Sequence, residues 1–219
     1  MLIDLSHSIA HGTVTYPGLP SPLICDFLSR EASRGFYAPG VEFHIGQITM
    51  VANTGTYLDS PFHRYADGKD LAELPLESTA DLDAVCVQTD AAAIGPEAFQ
   101  GLSVAGKAVL VQTGWSRHWG TETYLSGHPF LTENAALWLK EAGARLVGID
   151  SLNIDDMADK RRPVHSILLG AEIPGTEIPI VEHMTNLRSL PPAGFRFFAA
   201  PVKVKAFGTF PVRAFAILP

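Results

Sequence analysis

Residues 108–150 limit the fold more than any other stretch of this chain. Ala108-Val-Leu-Val111-Gln-Thr113 is an unbroken apolar run of strand length that stops at Gly114-Trp115, the pattern of a strand covered on both faces. Thr132 predicts a helix N-cap, Glu133 suits the first turn, Ala135, Leu139 and Ala142 share one face, and Gly143 marks the stop. Arg145-Leu-Val-Gly-Ile149-Asp150 is a second buried strand, ending on a carboxylate. Strand, helix and strand make a β-α-β unit, with parallel strands and catalytic groups at strand ends.

The remaining segments fit around this α/β unit. Leu2–Ile9 predicts a first strand before the turn cluster Tyr16-Pro17-Gly18-Leu19-Pro20. Residues 21–40 read as loop with a short strand at Leu23–Phe27, and Val41–Val51 as a strand bulged at Gly46. Asp83–Gln88 reads as a strand, and Gly95-Pro96-Glu97 opens a short helix to Gln100. Ile178–Val181, Phe195–Val202 and Phe207–Ile217 are rich in Ile, Val and Phe, as strands are. No repeat or linker interrupts the sequence, so residues 1–219 are expected to form a single domain.

Composition narrows the partners. With 47% apolar residues the chain can bury a substantial core, and a formal net charge of −7 without a basic stripe argues for a small-molecule substrate and against nucleic acid. Met1-Leu-Ile-Asp4 lacks a basic signal region, and no stretch approaches the ~20 apolar residues that span a bilayer. A cytoplasmic protein without a membrane partner is expected. Cys25 and Cys86 have no C-x-x-C spacing and are expected as buried free thiols.

Chemistry concentrates in Asn53-Thr-Gly-Thr-Tyr57-Leu-Asp59-Ser-Pro61-Phe-His63. Asn53, Tyr57, Asp59 and His63 hold odd positions, so an extended backbone sends them to one face, whereas a helix scatters them. Gly55 and Pro61 also disfavour a helix. An irregular strand carrying a row of functional groups is the expectation. Downstream, Asp150, Asp155-Asp156, Pro163-Val-His165 and Ile178-Pro-Ile-Val-Glu182-His183 add carboxylates and imidazoles. Such groups hold a divalent ion or run acid–base chemistry.

The opening stretch resembles H-x-G-T-H-x-D-x-P-x-H, the signature of the cyclase superfamily of hydrolases, which includes bacterial kynurenine formamidases and isatin hydrolases. Asp4-Leu-Ser-His7, Tyr16-Pro17-Gly18, Gln112-Thr113-Gly114-Trp115, Val147-Gly-Ile-Asp150, Pro163-Val-His165 and Ile180-Val-Glu182-His183-Met184-Thr185-Asn186-Leu187 resemble family segments in the same order. The resemblance implies a swivelling β/β/α fold with a small barrel-like sheet and flanking helices. It also implies metal-dependent hydrolysis of amide or lactam bonds, in homodimers or homotetramers whose neighbouring subunits wall the site. Asp59 matches a metal ligand, His63 the catalytic histidine, and His165 and Glu182 the later ligands. Asn53 and Tyr57 stand where the family has two metal-binding histidines. Glu172-Ile-Pro-Gly-Thr-Glu177 reads as a small insertion, so Glu177 competes with Glu182.

An amide oxygen is a weak ligand, and a phenol binds metal well only after losing a proton with a reference pKa of ~10. Two arrangements therefore stay open. In one, Asp59, His165 and Glu182 hold a single divalent ion, Zn or Mn, while His63 acts as general base and Tyr57 as donor in the hydrolysis of a small amide, lactam or lactone. In the other no metal is present, and His63 and Tyr57 are the acid–base pair of a lyase, dehydratase or cyclase that Asn53 helps to bind substrate. A third reading is a small-molecule-binding protein without chemistry. His7 and His11 are expected on surface loops and His44 in core or pocket. Trp115, Trp119 and Phe36 are candidates for an aromatic wall, and Arg64 either receives a substrate carboxylate or pairs with Asp67.

Overall fold

The computed structural model describes residues 1–170 and 176–219. Its strands are β1 (Leu2–Asp4), β2 (Leu23–Leu28), β3 (Ile45–Thr49), β4 (Tyr57–Asp59), β5 (Leu82–Gln88), β6 (Ala93–Ile94), β7 (Ala108–Gln112), β8 (Phe130–Leu131), β9 (Leu146–Ile149), β10 (Ile180–Glu182), β11 (Ala193–Phe198), β12 (Thr209–Pro211) and β13 (Phe215–Ile217). The α-helices are α1 (Arg30–Ser33), α2 (Glu133–Glu141) and α3 (Pro163–Leu169). Nine strands form one sheet in the order β1-β13-β11-β5-β7-β9-β10-β4-β12.

The parallel centre, β5-β7-β9-β10, explains the unbroken apolar runs. Val85, Val109, Val147 and Ile180 point to one face, where Ala135, Ala136 and Leu139 of α2 and Val164, Leu168 and Leu169 of α3 cover them. Their neighbours Ala84, Ala108, Leu146 and Val181 point to the other face, against Leu5, Leu58, Phe195 and Phe197. With both faces buried, alternation has no polar half to display. The Thr132 side chain accepts from the Ala135 amide and Gly143 takes φ +76°, so α2 starts and stops where the sequence predicts.

Several expectations are corrected. The Asn53–His63 stretch is a strand only at Tyr57–Asp59: Gly55 turns the chain into it with φ +68°, and Pro61 opens a 3₁₀ helix over Pro61–His63. The expected strand Phe207–Ile217 divides into β12 and β13, which pair with β4 and with β1 and β11. The Gly95 segment is a 3₁₀ helix at Pro96–Phe99. The expected strand Val41–Val51 is confined to β3 (Ile45–Thr49), which pairs with β2 in a separate hairpin whose register shift falls between Asp26 and Leu28. Cys86 is buried as expected, but Cys25 lies exposed on that hairpin. Most of the expected insertion at Glu172–Glu177 lies outside the described residues.

Candidate active site

The antiparallel step from β10 to β4 and on to β12 brings distant carboxylates together. Glu182 pairs in register with Tyr57, and Asp59 with Thr209. A cavity of about 360 Å³ opens beside them, lined by Tyr16, Pro17, Leu19, Asn53, Tyr57, His63, Arg64, Asn153, Arg162, His165 and Glu182.

Hydrogen-bond direction fixes what each group has left to offer. The Thr209 hydroxyl donates to Asp59 Oδ1, and a hydroxyl has one proton, so Thr209 accepts from His63 Nδ1–H at 2.8 Å. The Nε2 lone pair of His63 stays free. His165 Nδ1 donates to Asp155 Oδ2 at 2.6 Å, and the same carboxylate accepts from the amides of Val164 and His165, capping the first turn of α3. His165 Nε2 then faces Asp59 Oδ2 at 3.7 Å and Glu182 Oε1 at 3.8 Å. Asp59 Oδ2 is buried and without a hydrogen bond. Ligand atoms from Asp59, His63 and His165 lie within 4.8 Å of one another.

The electrostatics ask for positive charge at this point. Burial pushes against charge on His165, but its bond to Asp155 and the nearby Asp59 and Glu182 carboxylates carry it up to about 10. Burial pushes Glu182 up to about 7, against the pull of His165. Burial also penalises the Asp59 carboxylate, yet His63 and His165 hold it below its ordinary value. A proton on His165 supplies one positive unit among these carboxylates, and a divalent ion supplies two. The orphaned Asp59 oxygen and two imidazoles, each with its other nitrogen held by an oxygen, fit a divalent ion.

Tyr57 is committed elsewhere. Its hydroxyl donates to Glu182 Oε2 at 2.6 Å, while the Ile154 amide donates to Glu182 Oε1 at 2.6 Å. Having spent its proton, Tyr57 accepts from His183 Nε2–H at 3.3 Å, and His183 Nδ1 accepts from the Tyr124 hydroxyl at 2.8 Å. His183 holds φ +55°, an uncommon backbone state for a side chain of this size, and burial pushes its pKa down to about 3, so it stays neutral. Asn53 lines the cavity beside Tyr57.

Of the residues singled out in the sequence, Asn53, Tyr57, Asp59, His63, His165 and Glu182 come together, whereas Glu177 pairs with Lys69 at 2.9 Å. The set with ligand spacing contains His63 where the sequence reading put Glu182. No motif in the sequence marks Thr209 or the bond from Asp155 to His165. His44 is neither core nor pocket, and bonds Asp26 on the exposed hairpin. His11 is a surface residue as expected, but His7 is half-buried and stacks on Trp119 with ring centroids 4.1 Å apart. Trp115, Trp119 and Phe36 do not line the cavity; Tyr16, Pro17 and Leu19 do.

Burial lowers His7 to about 4. The unfolded chain therefore binds a proton that the folded one refuses, so stability is full above about pH 6.5 and is lost as pH falls toward about 4. Urea midpoints are expected to be lower at pH 5 than at pH 7. His7→Phe, which retains the stack on Trp119, should narrow the gap.

A curled mixed sheet with carboxylates and imidazoles gathered around one cavity at its edge defines an α/β enzyme of the cyclase type. The model of the family described as "Putative cyclase" matches residues 3–156. A kynurenine formamidase of Geobacillus thermodenitrificans is 30% identical over 214 residues, 97% of this chain and 95% of that one. An isatin hydrolase solved with the product analogue thioisatinate superposes with TM-score 0.84 at 19% identity, over 100% of this chain and 92% of the other. A Bacillus stearothermophilus protein solved as a "predicted metal-dependent hydrolase" gives TM-score 0.75 at 23% identity, over 99% and 97%. The chain belongs to the cyclase family.

Proposed function

We propose that this enzyme hydrolyses a small amide, lactam or lactone, with Asp59, His63 and His165 holding one divalent ion and Glu182 moving the proton. One observation carries the reading. Asp59, His63 and His165 each have one polar atom tied to Thr209 or Asp155 and a second, Oδ2 or Nε2, left over. An ion at these atoms supplies a Lewis acid for the scissile carbonyl and a more acidic water. Glu182, fixed by Tyr57 and the Ile154 amide, lines the same cavity; in this reading it accepts a proton from water and returns it to the leaving nitrogen or oxygen. Asn53, which lines the same cavity, donates to the carbonyl oxygen in this reading. The formamidase relatives support an N-formyl arylamine as a test substrate.

Protein purified without chelators is expected to carry close to one equivalent of Zn or Mn by mass-spectrometric metal analysis. Removal of the ion should abolish hydrolysis of formanilide and its return should restore it; a metal-free preparation at full rate would remove the ion from the reading. The metal-independent alternative, with His63 and Tyr57 as acid and base, draws on the free Nε2 that Thr209 leaves on His63. It requires activity that survives chelation and fails in Tyr57→Phe.

The hairpin of β2 and β3 supports a homo-oligomer. Leu23, Phe27, Ile45 and Ile48 are exposed on it, with Phe36 and Phe43 in the connection, more apolar surface than a monomer ordinarily leaves open. Light scattering is expected to give a dimer, and Phe27→Glu with Ile48→Glu a monomer. The exposed free thiol of Cys25 suits a reducing, cytoplasmic setting. Among the described residues no helix is long and apolar enough to cross a membrane.

A further inference from the structure

The geometry points to Arg64 and Arg162 as an anion-binding rim over the active-site cavity. The substrate class is then a small carboxylate-bearing amide or lactam, its carboxylate held at the mouth while its carbonyl reaches the floor. The inference rests on the hydrolase reading only for which end enters first.

Both arginines line the cavity, and both guanidinium groups are positioned by neutral partners. Arg162 Nη1 donates to Asn153 Oδ1 and Nη2 to the Tyr16 hydroxyl, each at 3.1 Å. Arg64 Nε donates to Ser166 Oγ at 3.1 Å, and its guanidinium carbon stands 5.2 Å from the Tyr65 ring centre. Ser166 joins the two, because its amide donates to the Arg162 carbonyl at 3.0 Å. One turn of α3 thus anchors both cations beside His165.

Neither guanidinium pairs with a carboxylate among the described residues. The contrast with the adjacent residue is direct: Arg161 takes Asp159 at 2.7 Å and Glu133 at 3.3 Å. Arg162 instead sits at φ +51°, a left-handed state rarely used by long side chains, and its fork reaches into the cavity wall. Of the five N–H donors of an arginine, Arg162 spends two on the protein and Arg64 one. Planar forks with donors to spare match a carboxylate.

The floor adds direction. In the hydrolase reading the scissile carbonyl lies at Asp59, His63 and His165, so a ligand carrying both groups sets its carboxylate at the arginines of the mouth. Tyr16, Pro17 and Leu19 give the wall an apolar side, and about 360 Å³ suits a ligand built on a single ring.

Benzoate and benzamide have nearly the same shape and differ in charge, and calorimetric titration of both tests the rim. Wild-type protein is expected to bind benzoate about tenfold or more tightly than benzamide, the worth of one charge-assisted contact. The preference should shrink as salt is raised. Arg64→Gln and Arg162→Asn should each bring the two affinities to within about threefold; Asn tolerates the left-handed backbone, so the second variant retains the local fold. Equal affinities in wild type, or a preference that survives both substitutions, overturns the rim. If Arg162→Asn melts early, Arg64→Gln decides alone. Turnover of 2-formamidobenzoate against formanilide separates the two readings. Benzoate preference with no turnover of either amide leaves the rim and removes the hydrolase, while equal turnover of both leaves the hydrolase and removes the rim.

Discussion

Glu182→Gln is expected to lower turnover about 10²–10⁴-fold, the range for loss of a proton-transfer group, while the metal content stays near one equivalent. Gln preserves the volume of the side chain and removes the atom that accepts the proton. His63→Ala and His165→Ala are expected to strip the ion and lose activity together. The sequence alone assigns these parts the other way round, with His63 as base and Glu182 as ligand, and metal analysis of the two single variants separates the assignments. An ion that stays in His63→Ala and leaves in Glu182→Gln would restore the sequence assignment. The exchange is proposed because both Glu182 oxygens already accept hydrogen bonds, whereas Thr209 holds His63 by Nδ1 and leaves its Nε2 free.

The second large effect is expected at Gly208, which does not use a positive φ; its constraint is space. A methyl group there would stand 2.4 Å from the His63 nitrogen and 2.5 Å from its Cα, both backbone atoms that cannot swing aside. The Gly208 carbonyl also accepts from the Ser60 amide at 2.7 Å, so strand and 3₁₀ helix are stitched together at the point of contact. Gly208→Ala must push His63 away from Thr209. Overpacking of this kind costs about 1–3 kcal/mol, and at 2–4 °C per kcal/mol the melting temperature should fall by several degrees. Metal occupancy should fall with it. Gly35→Ala, whose methyl would meet only the Ala32 carbonyl at 3.7 Å, is the control and should change neither quantity.

What the sequence revealed was local. Helix α2 was legible because Thr132, the apolar face and Gly143 act within a few residues of one another, and the central strands because burial on both faces leaves an unbroken apolar run. The odd-numbered row from Asn53 to His63 named the right residues for an incomplete reason. Only Tyr57 and Asp59 share a strand; His63 reaches the site through the turn at Pro61 and a bond to a threonine 146 positions away. A lone Thr in a Phe-rich segment carries no motif, so Thr209 was silent. Asp155 was visible as an acid near His165, but its capping of α3 depends on the intervening loop. The family resemblance supplied the fold, since short-range patterns do not say which strands become neighbours.

The pairing of β12 with β4 also bears on how the protein is made. Asp59 and His63 leave the ribosome long before Thr209, and β12 occupies one edge of the sheet while β1, from the other end of the chain, occupies the opposite edge. Until β12 docks, the Asp59 carboxylate lacks the hydroxyl that orients it, and His63 lacks the acceptor that sets its tautomer. Contacts so far apart in sequence form late and slowly. Activity should therefore appear as the last step of refolding, after the parallel centre and α2 have formed.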